Sequence, residues 1–334
     1  MHWLNLSLVI TIVYAMSLGC SLLIYRYGPL VGLVDKPNER SSHTFPTPRG
    51  GGLGIWLAFI VMGVFFSQSQ FLTMLAGIAG LIGLLADRFN LVPKARLISQ
   101  FIVAIFVVGL LQDPSVSAAS LALFLFWVLF ITGTANFFNF MDGINGIAGL
   151  TGLVAFGLVA AFSRYIAYDS DVTLLALVLS AGCLGFLPFN LPKAKVFMGD
   201  VGSIFLGFVF ACFVLKLSTN IHVFLCLIMF LSPFYADALV TLFYRWRRGE
   251  NLMQAHRSHL YQYMSNELNL PHWKVSSIYA MIQAIFGLLA LLAYRSGLMW
   301  QILLLAIFGG MFLLTYKTLR GIKTNFATSR EASL

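Results

Sequence analysis

The sequence predicts an all-α, polytopic integral membrane protein of about eleven transmembrane helices, with a periplasmic N-terminus and a cytoplasmic C-terminus. Three observations carry this. Of 334 residues, 59% are hydrophobic and 10% charged, with a mean hydropathy of +0.87, whereas a soluble domain carries about 25% charged residues. Apolar runs long enough to cross a bilayer recur along the whole length. Basic residues also segregate to alternate loops.

The first run, 3–25, has neither a basic leader nor an A-x-A cleavage pattern and continues into "SLLIYRYG", so it reads as a retained span. Glycines 50–52 open the second, at 51–67, and the third covers 70–86 and ends at Asp87. The fourth, 97–112, follows "NLVPKAR". The fifth, 118–136, passes into "TANFFNFMDGINGIAGL", where Gly143 and Gly146 are expected to break the helix before the sixth at 146–163. The seventh, 172–189, is stopped by Pro192, and the eighth, 202–217, begins just after Asp200. The last three are expected over 221–243, 274–294 and 298–316. Without a repeat, heptad run or low-complexity linker, residues 1–334 read as one membrane domain. Its polar loops fall at about 26–50, 86–97, 136–146, 190–201 and 244–273.

Placing alternate loops on alternate sides leaves only Arg164, Lys216 and Arg295 of the 21 basic residues outside. By the positive-inside rule the other side is cytoplasmic. The net charge of +9 therefore reflects loops facing anionic lipid, and no nucleic-acid partner is expected. Only Asp113, Asp169 and Asp171 of the acidic residues fall outside, so any chemistry belongs to the cytoplasmic face. Cys20, Cys183, Cys212 and Cys226 lack CxxC spacing and read as small buried hydrophobes.

Five cytoplasmic stretches concentrate the polar residues. "DKPNERSSHTFPTPRGGGLG" carries Asp35, Arg40, His43 and Arg49 ahead of a glycine run whose N–H groups could meet an anion. Asp87 ends the third span beside Arg88, which as a structural feature would be a helix-end ion pair. The three-residue spacing puts Asn136, Asn139 and Asp142 roughly on one helix face, with Asn145 beyond. "FNLPKAKVFMGDVGS" places Asp200 at a helix start, where it could be a cap or hold Mg²⁺ with Asp142 and Asp87; Lys193 and Lys195 would meet phosphates. "RWRRGENLMQAHRSHLYQYM" clusters His256, Arg257 and His259, read as phosphate-binding. Metal-binding carboxylates, phosphate-binding cations and close-approach glycines on one rim suit transfer of a phosphoryl-linked group involving a lipid.

In this order the motifs resemble the polyprenyl-phosphate N-acetylhexosamine-1-phosphate transferases, glycosyltransferase family 4, closest to the bacterial initiating enzymes of O-antigen and common antigen. "NFFNFMDGINGIAG" is similar to that family's N-x-x-N-x-x-D-G-x-D-G-x-A-G, and "FNLPKAKVFMGDVGS" to its F-N-x-x-P-A-x-x-F-M-G-D-x-G-S. "DKPNERSSHTFPTPRGGG" matches its first cytoplasmic loop, and "HRSHLYQ" its histidine loop. The resemblance implies an enzyme of the bacterial inner membrane with its active site on the cytoplasmic face. It would join a UDP-N-acetyl sugar and undecaprenyl phosphate into undecaprenyl-diphospho-sugar and UMP, using Mg²⁺, with Mn²⁺ as the alternative. It further implies Asp200 as metal ligand, Asn190 against the uracil with Phe197 stacked on it, and Asn139 and Asp142 in the nucleotide and catalytic cluster. His259, with Arg257 or His256, would sit by the diphosphate or sugar. A homodimer is compatible with it, and N-acetylglucosamine, N-acetylgalactosamine and 6-deoxy sugars all remain open as donors.

Two departures from the family pattern are expected to matter. Ala86-Asp87 replaces an Asp-Asp pair, leaving Asp87 as the candidate base, and Asn145 stands where the family has aspartate. A phosphate monoester's second pKa is about 6, so a dianionic acceptor needs no base. The alternatives are a catalytically impaired homologue and a transporter or flippase. Transporters place polar groups near the bilayer midplane, whereas here they cluster at span ends.

Overall fold

The computed structural model describes residues 3–37, 45–112, 117–252, 254 and 256–331, with the side chains of 3–5 and 321–331 outside the description. Thirteen α-helices follow in order: α1 Trp3–Tyr27, α2 Leu53–Phe66, α3 Gln70–Phe89, α4 Pro93–Leu111, α5 Ala118–Phe140 and α6 Ile147–Phe162. Then come α7 Ser170–Asn190, α8 Asp200–Leu217, α9 Ile221–Met229, α10 Ser232–Arg247, α11 Leu260–Asn266, α12 His272–Ser296 and α13 Leu298–Glu331. A two-residue antiparallel ladder pairs Val34–Asp35 with Thr47–Pro48.

Among the described residues, nine helices are long and apolar enough to cross a membrane. The sequence's single span at 221–243 is instead two helices, α9 and α10, meeting at 86°. Pro233 sits in the first turn of α10, where it offers no N–H. At the break the Phe230 carbonyl accepts a 2.7 Å hydrogen bond from the Gln283 side chain, while Phe234 N–H turns to the Leu231 carbonyl. The span expected over 51–67 is the 14-residue α2, about 21 Å long against a core of about 30 Å.

Helix starts are read by side chains. Asp169 accepts from Val172 N–H at 2.8 Å before α7, and Asn220 from Val223 N–H at 3.1 Å before α9. Ser117 and Ser120 form a reciprocal box at the start of α5.

The buried centre is α8, apolar on all sides. Close helix approach there depends on small residues. A Cβ on Gly83 of α3 would stand 2.5 Å from the Asp200 carbonyl oxygen, and one on Gly207 of α8 would stand 2.6 Å from Phe138 Cβ. These contacts bring the ends of α3 and α5 against the start of α8, which is where the polar motifs lie.

Candidate active site

A cleft of about 240 Å³ opens at this junction. Asp35, Arg49, Asp87, Asn139, Asp142, Asn145, Asn190, Phe197 and Asp200 all line it.

Asp87 is almost fully buried near the end of α3. Its carboxylate accepts the Asp200 and Val201 backbone N–H groups at 3.1 and 3.0 Å, capping α8 from another helix. The cation beside it is Arg49, with Nε 3.8 Å from Oδ1, rather than the neighbouring Arg88, which lies over the Phe89 ring. Arg49 also bonds the Asp87 carbonyl oxygen and, at 2.6 Å, Asn90 Oδ1. This ties the loop between α1 and α2 to the end of α3.

Asp200, in the first turn of α8, contacts Arg96 of α4 and accepts from Asn139 Nδ2 at 2.9 Å. Asn139 also reaches Ser203 Oγ at 2.9 Å. Asn136 turns away instead, to Gln100 Oε1 at 2.6 Å and the Thr132 carbonyl, so the expected three-residue stripe contributes only its second and third members.

Asp142 lies in the turn after α5. Among the described residues no donor is found for its carboxylate. Burial, then the neighbouring Asp200 and Asp87 charges, push that carboxyl well above the ordinary carboxylate range. Gly146, at φ 86°, allows the turn into α6, and its N–H donates to Asn190 Oδ1 at 2.5 Å. Asn190 Nδ2 in turn donates to the Val196 carbonyl at 2.8 Å. Both ends of the Asn190 amide thus hold the site's walls together. Asn145 receives at its carbonyl a 2.8 Å bond from Ser276 Oγ, and its N–H faces His272 Nδ1 at 3.3 Å.

The glycine run serves a different purpose from the expected anion cradle. The Gly50 and Gly51 N–H groups donate to the Phe197 carbonyl at 3.1 and 2.9 Å, and Gly52 to Met198 at 2.9 Å. They zip the first loop onto the "VFMGD" segment, where a Cβ on Gly52 would stand 2.3 Å from Gly202 Cα.

Five expected site residues stand apart, the first being Lys193, which is exposed and outside the cleft lining. Lys195 is exposed and does not line the cleft, and neither do His256, Arg257 and His259. His259 is buried, with Nδ1 3.4 Å from Asp237 Oδ1 of α10. Arg40 and His43 lie outside the described residues. Conversely, Arg96, Ser203, Gln262 and His272 reach the site without having been singled out from sequence. Arg96 lies in the first turn of α4, after Pro93, and His272 opens α12 directly after its cap residue Pro271.

A cleft of aspartates and asparagines among membrane-spanning helices defines a polytopic membrane protein with a polar site at its rim. Residues 69–218, a little under half of the chain, match the family described as Glycosyl transferase family 4. More particularly, its similarities fall in the polyprenyl-phosphate N-acetylhexosamine-1-phosphate transferase superfamily. It is 30% identical over 204 residues to the probable undecaprenyl-phosphate N-acetylglucosaminyl 1-phosphate transferase of Bacillus subtilis, covering 56% of each chain. It is 29% identical over 281 residues to the decaprenyl-phosphate N-acetylglucosaminephosphotransferase of Mycobacterium tuberculosis, covering 69% of this chain and 68% of the relative. It is also 29% identical over 175 residues to the undecaprenyl-phosphate alpha-N-acetylglucosaminyl 1-phosphate transferase of Thermotoga maritima, covering 52% of this chain and 53% of the relative. The match thus spans little more than half the length of the Bacillus and Thermotoga proteins.

Proposed function

We propose that this chain transfers an N-acetylated sugar-1-phosphate from a UDP-sugar to undecaprenyl phosphate. The reaction would take place on the cytoplasmic face of the bacterial inner membrane and initiate O-antigen or a related envelope polysaccharide. The lipid phosphate oxygen attacks the β-phosphorus of the UDP-sugar, and the bond to the bridging oxygen breaks. UMP leaves with that oxygen and its electron pair. The names of the relatives make N-acetylglucosamine the first sugar to try. We further propose eleven membrane crossings, with α2 and the bent α9–α10 pair each counting as one and the C-terminus inside.

The carrying observation is Asp142, whose carboxylate has no donor among the described residues yet faces the charges of Asp200 and Asp87. Crowded carboxylates of this kind fit a cation. No group of three His, Cys, Asp or Glu side chains among the described residues is arranged to hold a metal, but Mg²⁺ needs only one or two carboxylates when substrate phosphates complete its shell. Asp142 and Asp200 would hold it. When bound, Mg²⁺ offsets the pyrophosphate charge.

The remaining residues orient. Asn139 fixes the Asp200 carboxylate, Arg96 supplies positive charge beside it, and Phe197 offers an aromatic face in the cleft. With its oxygens engaged by two N–H groups and Arg49, Asp87 supports the site rather than taking a proton. A dianionic lipid phosphate requires no base. The test is Asp200→Asn in membranes supplied with UDP-sugars, undecaprenyl phosphate and Mg²⁺. Lipid-linked product should disappear, and full activity would remove the metal assignment.

A further inference from the structure

Asp237, in α10, is fully buried and takes no part in the cleft. Its carboxylate nevertheless accepts from Leu260 N–H at 2.8 Å, Tyr261 N–H at 3.1 Å, the Tyr279 hydroxyl at 2.7 Å and the Thr241 hydroxyl at 3.2 Å. His259 Nδ1 stands 3.4 Å away, and the His256 ring packs on His259 with centroids 4.8 Å apart. A buried carboxylate is costly unless its oxygens are filled, and nearly every group filling these comes from the segment 259–261 or the helix behind it.

That segment leads directly to the site. Tyr261 Oη donates to the Phe140 carbonyl at 2.9 Å, just ahead of the turn that bears Asp142. A Cβ on Gly143 of that turn would stand 2.2 Å from the same hydroxyl oxygen. The next residue, Gln262, lines the cleft. The other end of the histidine loop is also fastened to α10. Arg245 Nε pairs with Glu250 at 2.9 Å, and Nη2 bonds the Asn251 and Gln254 carbonyls at 2.7 and 3.2 Å.

Resting on the transferase reading above, we propose that Asp237 is a positioning residue: it latches the histidine segment to α10 and thereby sets Gln262 and the Asp142 turn in the cleft. His259 then acts as part of the latch, which accounts for its burial away from the cleft. A change at Asp237 should loosen the segment and weaken the nucleotide-sugar's hold. A residue that merely stabilised the fold would lower the yield of active enzyme and leave KM unchanged.

The test uses the full chain purified in detergent, with Asp237→Asn, Tyr279→Phe, His259→Asn and the Asp237→Asn/His259→Asn double variant. For Asp237→Asn, KM for the UDP-sugar should rise about tenfold, as loss of one buried charged hydrogen bond implies. Turnover per folded enzyme should change far less, trypsin should cut after Arg257 faster, and Tyr279→Phe should shift both readings the same way by less. The double variant should be no worse than the worse single one. Unchanged KM with unchanged cleavage, or strictly additive losses, would overturn the latch. Should Asp237→Asn not accumulate as folded protein, Tyr279→Phe decides by the same readings. If the parent turns over no UDP-sugar, the transferase reading fails, and the cleavage rates alone judge the latch.

Discussion

The carboxylate of Asp87 accepts the backbone N–H of Asp200 at 3.1 Å. One aspartate of the cleft thus holds the helix turn that presents another. Through Val201 N–H at 3.0 Å and Arg49, the same carboxylate binds α3, α8 and the loop between α1 and α2 into one frame.

Asp87→Ala should therefore destabilise the fold as well as remove activity. Each buried donor left unpaired costs about 1–3 kcal/mol, so the thermal midpoint in detergent should fall clearly. Asp87→Asn keeps one acceptor oxygen and should fall less. An alanine variant as stable as the parent would mean that the cap is absent.

Gly199 gives a sharper steric test. At φ 75° it lies in the left-handed region, and a Cβ there would stand 2.5 Å from Asp87 Oδ2. Gly199→Ala should cost more than backbone strain alone, usually about 1–3 kcal/mol, and abolish turnover. A Cβ on Gly109 in α4 would meet nothing within 4 Å, so Gly109→Ala should leave both readings at parental values. Equal effects of the two substitutions would contradict the packing described.

Asn145→Asp restores the family's carboxylate in the same cleft as Asp142. Added ligand charge tightens divalent-cation binding, so the Mg²⁺ concentration for half-maximal activity should fall, while the amide contact given up, to the Pro192 carbonyl at 3.5 Å, is weak. A Mg²⁺ titration of the two enzymes checks this, and superimposable curves would refute it.

His256 gives the protein an acid sensitivity. Burial, then the His259 and Arg245 charges, push it down to about 4, from about 6.5 in an unfolded chain. Between these values the unfolded chain binds more protons. The stability that neutral His256 allows is thus present above about pH 6.5 and lost as pH falls toward about 4. Thermal midpoints measured down this range should drop, and His256→Gln should flatten the slope. Parallel slopes would show that His256 is not the group responsible.

Much of the architecture is legible in composition, because apolar runs and segregated basic loops follow from bilayer thickness and surface charge. The motif residues Asn139, Asp142, Asn190, Phe197 and Asp200 also meet as expected, since glycine-rich turns at helix ends converge on α8. What escapes the sequence depends on tertiary partners. No spacing rule pairs Asp87 with Arg49 across the chain, or separates Asn136 from Asn139. The histidines look like phosphate ligands until Asp237, an unremarkable aspartate in "SPFYADALV", is seen to bind their segment. The break between α9 and α10 is similarly hidden, because Pro233 at a helix start and a proline inside one span look alike in an apolar run.

The most direct measurement of the central claim follows where the β-phosphate goes. Membranes containing the chain are given undecaprenyl phosphate, Mg²⁺ and UDP-N-acetylglucosamine labelled either in its sugar or in its β-phosphate, followed by the other UDP-N-acetyl sugars. Sugar-1-phosphate transfer predicts both labels in the lipid fraction and UMP in the aqueous one. Sugar label alone in the lipid with UDP released, or no lipid label from any UDP-N-acetyl sugar, would contradict it.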